Sequence, residues 1–233
     1  MQNPSLPRAA LLATLLAAAC PWAQAKDAPR HSLQLGLARV DFNTRSDDMT
    51  GPAGTTPPGI QADVARQTVL AFVYDRHIDG PWSVTVQGGV PPVLRLRGAG
   101  TAQALGEIGT VRAWFPAVMG TYTWQAGYAL ALHAGAGLHY TFFTDGATNA
   151  VYDGAFGGTS SRAKFSSSLG PIVKLGATWS FDRHWFADVS YSKYWIRSTA
   201  TVTTSTPGAG DIERSVKVRT SPDVVSFTVG YRF

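Results

Sequence analysis

His133 and His139 stand six residues apart in a stretch that alternates apolar with small or polar residues. On an extended strand they share a face but lie about 20 Å apart, too far to hold one metal ion. His77 and His184 fall in turn-forming stretches and add no further ligand. Ser190 and Ser192 share a face with Asp188, which are the residue types of a hydrolase or acyltransferase. No adjacent segment completes a serine–histidine–acid set with them, so lumen hydrogen bonding is the expected role. Lys174, Asp188 and Arg232 lie on the polar side of alternating segments; inside a barrel they would pair with one another and help hold it closed. The glycine-rich Gly154-Ala155-Phe156-Gly157-Gly158 is followed by no helical pattern, so it reads as a loop tip exposing Phe156 and not as a phosphate cradle. These residues indicate no enzyme, no cofactor and no metal centre.

The bulk composition fits an unusual solvent. Charged residues make up 15% of the 233, below the roughly 25% of soluble domains, while aromatics reach 11% with seven tryptophans. The net charge of +5 comes from scattered Lys and Arg that form no run, which speaks against a nucleic-acid partner. At the N-terminus, Arg8 precedes the apolar core Ala9 to Cys20, and Ala23-Gln24-Ala25 supplies a small-x-small cleavage site. Residues 1–25 therefore read as a secretory signal peptide, leaving 26–233 as one domain. Ala17 and Pro21 argue against lipid attachment at Cys20, the single cysteine. The mature chain then has no thiol chemistry.

No stretch beyond residue 26 is long and apolar enough for a spanning helix. Alternation recurs in eight segments, 32–43, 64–75, 82–97, 108–125, 128–144, 165–181, 185–202 and 214–233. Short connections at Asp79-Gly80, Ala126-Gly127 and Asp182-Arg183-His184 alternate with long ones rich in Gly, Pro, Ser and Thr. This pattern predicts an all-β fold, an eight-stranded antiparallel transmembrane β-barrel of the Gram-negative outer membrane. Its termini are periplasmic and its four longer loops extracellular. Trp82, Trp124, Trp179 and Trp185 fall beside the short turns, as an aromatic girdle at the periplasmic interface would. Leu132 is expected near mid-membrane on the lipid face, and Gly137 on the lumen face. Pro91-Pro92 and Pro116 interrupt their segments; lacking ladder N–H groups, they mark where inter-strand bonding should be weakest.

Gly135-Ala136-Gly137-Leu138-His139-Tyr140-Thr141-Phe142-Phe143, the turn Asp182-Arg183-His184-Trp185, Ile108-Gly109-Thr110-Val111 leading to Phe115-Pro116, and the terminal Gly230-Tyr231-Arg232-Phe233 occur in order. In this set the chain resembles the OmpW family of eight-stranded outer-membrane barrels. The ending, with Gly230, Tyr231 and Phe233, is similar to the signal by which the barrel-assembly machinery recognises its clients. The resemblance implies a narrow, passive channel for small hydrophobic or amphipathic molecules, with lateral escape through the wall as one route. It also implies a monomer surrounded by outer-membrane lipids and lipopolysaccharide. In the family, bulky apolar side chains from the third and seventh strands close the lumen. Gln87 and Ser192 align there, so the constriction is expected at this polar pair or at Tyr194, Ile196 or Val69. A structural or surface-interaction barrel with a closed lumen, serving envelope integrity or as a phage or toxin receptor, is the alternative.

Overall fold

The computed structural model describes residues 29–233; the signal-peptide reading of 1–25 lies outside them. In chain order the strands are β1 (His31–Asp41), β2 (Thr44–Ser46), β3 (Ile60–Val64), β4 (Gln67–Asp79) and β5 (Trp82–Gly89). Next come β6 (Val93–Gly100), β7 (Glu107–Trp114), β8 (Ala117–Gln125), β9 (Leu130–Thr148) and β10 (Ser160–Phe165). The last five are β11 (Ser168–Ser180), β12 (Trp185–Tyr194), β13 (Ile196–Thr206), β14 (Gly210–Thr220) and β15 (Asp223–Arg232). A six-residue helix, α1 (Ala150–Ala155), lies in the loop between β9 and β10.

Eight of these strands close an antiparallel barrel in the cyclic order β1, β4, β5, β8, β9, β11, β12, β15. The seam between β15 and β1 runs in register from Asp41↔Asp223 to Ser32↔Arg232. His31 and Phe233 then exchange backbone hydrogen bonds at 3.1 and 2.8 Å. Closure leaves no edge strand in the eight-stranded ring, and its ladders satisfy the backbone groups they join, as lipid requires. The other seven strands extend the wall upward on the extracellular side.

The eight expected segments correspond to the eight walls, but most are two strands each. Segment 82–97 divides into β5 and β6 around Val90-Pro91-Pro92, and 108–125 into β7 and β8 around Phe115-Pro116. Prolines cannot donate to the ladder, which accounts for both breaks. Segments 165–181, 185–202 and 214–233 also divide, at residues 166–167, Trp195 and Ser221-Pro222.

Side-chain chemistry inverts across these breaks while the facing does not change. On β12 the inward residues are Phe186, Asp188, Ser190 and Ser192, and the outward ones include Trp185, Val189 and Tyr191. On β13 the buried inward residues are Ile196, Ala200 and Val202, and the outward ones are Arg197, Thr199 and Thr201. An apolar exterior over a polar lumen is the arrangement of a wall in lipid; a polar exterior over an apolar interior is that of a wall in water. The inversion therefore marks the extracellular membrane boundary at Tyr194 to Ile196. The largest apolar core, with Met49, Ile60, Ile108, Tyr152, Val202 and Val216, sits above it.

Two expectations are corrected by register and packing, and a third gains detail. Leu132 faces outward, but it pairs with Trp124 and Ala177 beside the periplasmic rim and not at mid-membrane. Gly137 faces the lumen as expected, and a Cβ there would lie 2.0 Å from the Val118 carbonyl oxygen, so no side chain fits. Phe156 is no exposed tip: its ring packs 4.6 Å from that of Tyr152, beneath the Arg214 guanidinium at 4.5 Å.

Candidate functional site

The lumen divides into three compartments stacked along the barrel axis. The lowest, open to the periplasm, is a polar chamber of about 870 Å³. On one side of it Asp75 accepts hydrogen bonds from Ser32 at 3.2 Å, Gln34 at 2.8 Å and Thr85 at 2.5 Å. Across from these, the Asp188 carboxylate accepts from His133 Nε2 at 2.7 Å and Thr178 Oγ1 at 2.8 Å. The mutual pairing expected of Lys174, Asp188 and Arg232 is not what forms. Asp188 takes His133 as its partner, Arg232 lies over the Phe186 ring and donates to Ser180 Oγ at 3.0 Å, and Lys174 has no carboxylate within 4.0 Å among the described residues. A strand sets which residues face inward, but shear between strands sets which of them meet.

His133 is on β9 and Asp188 on β12, with β11 between them. Their contact depends on Gly176, which stands directly opposite His133: a Cβ there would lie 2.5 Å from His133 Nε2. The same device recurs six residues away. Gly170 stands opposite His139, letting His139 Nε2 reach over β11 to the Trp195 carbonyl at 3.0 Å. Sequence reasoning missed both contacts and the role of Asp75; the available signal was glycine on the inward face of β11. Ser190 takes no part in the His133–Asp188 pair. Ser190 Oγ is engaged with Ser226 Oγ at 2.8 Å, and His133 Nδ1 is buried with no protein partner.

Above the chamber the lumen narrows at Gln87, whose Nε2 donates to the Tyr194 hydroxyl at 2.7 Å. Both side chains are buried. Tyr194, and not Ser192, is thus the direct partner of Gln87, because the longer side chain is needed to cross the lumen. Val69, Gln87, Ser192 and Tyr194 line one cavity of about 60 Å³. That cavity is also lined by Phe72, Gly88, Val90, Pro91 and Pro92, of which Phe72, 42% exposed, and Val90, 56%, face outward. It reaches the wall where pairing lapses: β5–β8 ends at Gln87↔Ala117, and β6–β7 begins at Val93↔Arg112. Between them a single backbone bond, from Ala113 N–H to the Pro92 carbonyl at 3.2 Å, crosses the gap.

Phe115 lines this cavity and also the third compartment, an apolar cavity of about 90 Å³ enclosed by Phe42, Leu94, Val111, Phe165 and Ile196 among others. Ile196 therefore belongs to the upper compartment and the other four constriction candidates to the middle one.

At the periplasmic end Trp82, Trp124, Trp179 and Trp185 are all exposed on the outer wall. Tyr231 stands edge-on to Trp185 at 5.1 Å, and Phe233 stacks on His31 at 5.9 Å. Gly230 faces inward, where a Cβ would lie 2.3 Å from the Phe186 ring. In the turn between β11 and β12, Asp182 accepts from the backbone N–H groups of His184 and Trp185, each at 2.7 Å. Those two donors, Trp185 the stronger, hold its carboxyl below the usual carboxylate range.

A model of the OmpW family matches residues 32–233. The dibenzothiophene metabolism operon proteins PahQ of Pseudomonas aeruginosa and DoxH of Pseudomonas sp. (strain C18) are each 25% identical over 203 residues, or 86% of this chain and 87% of their own. The crystal structure of the outer membrane protein OprG from Pseudomonas aeruginosa has a TM-score of 0.77 at 21% identity, over 88% of this chain and 96% of that one. At such identity the structural likeness speaks for the fold, an outer-membrane barrel.

Proposed function

The chain belongs to the OmpW family of outer-membrane proteins, and from that premise we propose that it is a narrow passive conduit for small hydrophobic or amphipathic molecules. They enter the apolar upper compartment and leave sideways into the membrane. The observation that carries the reading is the cavity shared by lumen-facing Gln87 and Tyr194 and by outward-facing Phe72 and Val90, at the gap in strand pairing.

Energetics favour the lateral route over passage straight down. Below Gln87 and Tyr194 the lumen is lined by Asp75, His133, Lys174 and Asp188. A ten-carbon solute moved from an apolar site into that wet chamber would forfeit about 8 kcal/mol, at about 0.8 kcal/mol per methylene. Release through the wall into acyl chains carries no such penalty. At about 60 Å³ the middle cavity must widen for transit, and the segment least restrained against widening is 88–92, which lacks a ladder partner on β8. The hydroxyl and amide at the constriction tolerate a polar group on the solute, which suits amphipathic molecules as well as hydrocarbons. The names of PahQ and DoxH support a bias toward aromatic, apolar solutes.

The Gln87–Tyr194 bond also favours a second reading, a surface or structural barrel whose lumen stays shut. Solute uptake separates the two. Cells lacking the protein, complemented with wild type or with Pro91→Val/Pro92→Thr/Pro116→Thr, are compared for uptake of a radiolabelled aromatic hydrocarbon. The conduit reading expects uptake to rise with wild type and fall with the variant, whose restored N–H groups can close the gap. Uptake that is the same with and without wild type sinks the conduit. Uptake unaffected by the variant sinks the lateral exit alone.

A further inference from the structure

Several outward-facing cations on this barrel sit beside acids. Arg66 pairs with Asp41 at 2.9 Å, Arg112 with Asp145 at 3.0 Å and Lys193 with Asp223 at 2.7 Å. One row instead sets like charges opposite one another. Arg45 on β2 is directly opposite Arg219 on β14, which is directly opposite Arg197 on β13. All three are exposed on the outer face. Lys217 stands on the same face of β14, two residues beyond Arg219. A single carboxylate, Asp47, approaches the row, 3.7 Å from Arg219, and both partners are more than half exposed. Among the described residues Arg45 and Arg197 have no ion-pair partner. Like charges directly opposite across strands destabilise a sheet, so the row is costly unless an external anion occupies it.

Its height identifies that anion. Trp195, 43% exposed, immediately precedes Arg197's strand, at the point where side-chain chemistry inverts. From Trp185 at the periplasmic rim to Trp195 is ten residues, about 33 Å along the strand and about 25 Å of membrane height at a tilt near 40°. The arginine row therefore lies just beyond the outer edge of the apolar band, where the headgroups of the outer leaflet are. Adjacent strands are 4.7–4.9 Å apart, so the three arginine backbones span about 10 Å and their flexible side chains can engage more than one phosphate together. Guanidinium groups bind phosphate through paired, charge-assisted hydrogen bonds.

We infer that Arg45, Arg219 and Arg197 form a binding ledge for the phosphate groups of a phosphorylated glycolipid of the outer leaflet, fixing the upper wall at the membrane surface. The assignment rests on the outer-membrane location that the family match shows and does not need the conduit reading.

The test uses the full chain in phosphatidylcholine nanodiscs, titrated with bisphosphorylated lipid A, with fully dephosphorylated lipid A and with inorganic phosphate. Wild type should prefer the bisphosphorylated form by about tenfold or more, the equivalent of at least one charge-assisted hydrogen bond. Arg45→Gln/Arg197→Gln/Arg219→Gln should abolish that preference, and the triple lysine variant should recover part of it. Folding of each variant is checked by its heat-dependent gel mobility. Equal binding of the two lipid A forms by wild type overturns the ledge, and this arm needs no variant to fold. A preference that survives the glutamine variant overturns the residue assignment. Inorganic phosphate displacing the glycolipid at equal concentration would make this a small-anion site instead.

Discussion

Replacing Gly176 with alanine tests whether an inward glycine on β11 exists to let His133 reach Asp188. The added Cβ would stand 2.5 Å from both Cε1 and Nε2 of His133 and 2.8 Å from Ser190 Cβ, closer than any real contact. His133 must swing away, and its 2.7 Å bond to Asp188 breaks. Losing a hydrogen bond to a charged group costs about 1.5–3 kcal/mol, and overpacking adds about 1–3 kcal/mol. The polar chamber beside Asp188 offers water as a substitute partner, which puts the expected total near the low end, about 2–4 kcal/mol. Urea unfolding in lipid vesicles, followed by tryptophan fluorescence, measures it, provided refolding is shown to be reversible. The decisive measurement is a double-mutant cycle. In a His133→Ala background only the 2.8 Å approach to Ser190 Cβ remains, so Gly176→Ala should cost clearly less than it does in wild type. Gly170→Ala is the control, because its Cβ would meet the Trp195 carbonyl oxygen at 2.2 Å as well as the His139 ring. Backbone cannot swing away, so His139→Ala should not rescue it. A neutral Gly176→Ala, or strict additivity with His133→Ala, would refute the reasoning.

Two further outcomes follow from the register and the turn chemistry. Leu175 lies midway along β11 and is 58% exposed, whereas Leu132 pairs with Trp124 near the periplasmic rim. Leu175→Arg should cost about 2–4 kcal/mol and Leu132→Arg about 0–1 kcal/mol by urea unfolding in bilayers; equal costs would mean the membrane band is misplaced. Asp182, held below its ordinary value of 3.8 by the backbone N–H groups of Trp185 and His184, stabilises the turn in its ionised form. That contribution is complete above the unfolded value and lost as pH falls through the lower, folded value. Unfolding midpoints of wild type and Asp182→Ala should therefore differ at neutral pH and converge in acid below 3.8; a constant difference would show that the charge plays no part.

The sequence by itself determined the class of the protein and the facing of its walls. A period of two in which the apolar face carries the aromatics, with short turns alternating with long loops, is satisfied by a barrel in lipid and by little else. It also placed Val69, Gln87, Ser192 and Tyr194 in the interior and Trp82, Trp124, Trp179 and Trp185 at one rim, since parity and turn positions along the chain need no knowledge of neighbouring strands. The same parity could not say that Gln87 meets Tyr194, that His133 meets Asp188 across an intervening strand, or that Leu132 lies beside a rim. Those depend on register and shear between strands, which alternation leaves free. Nor could it align Arg45, Arg219 and Arg197, which are up to 174 residues apart in the chain and neighbours only through the ladders of β2, β14 and β13. The prolines announced weak points in the wall from the sequence, because a missing N–H is a local fact. That the weak point lies beside Gln87 and Tyr194 was decided by the closed sheet, which alone brings a gap at the end of β5 to the same height as a side chain from β12.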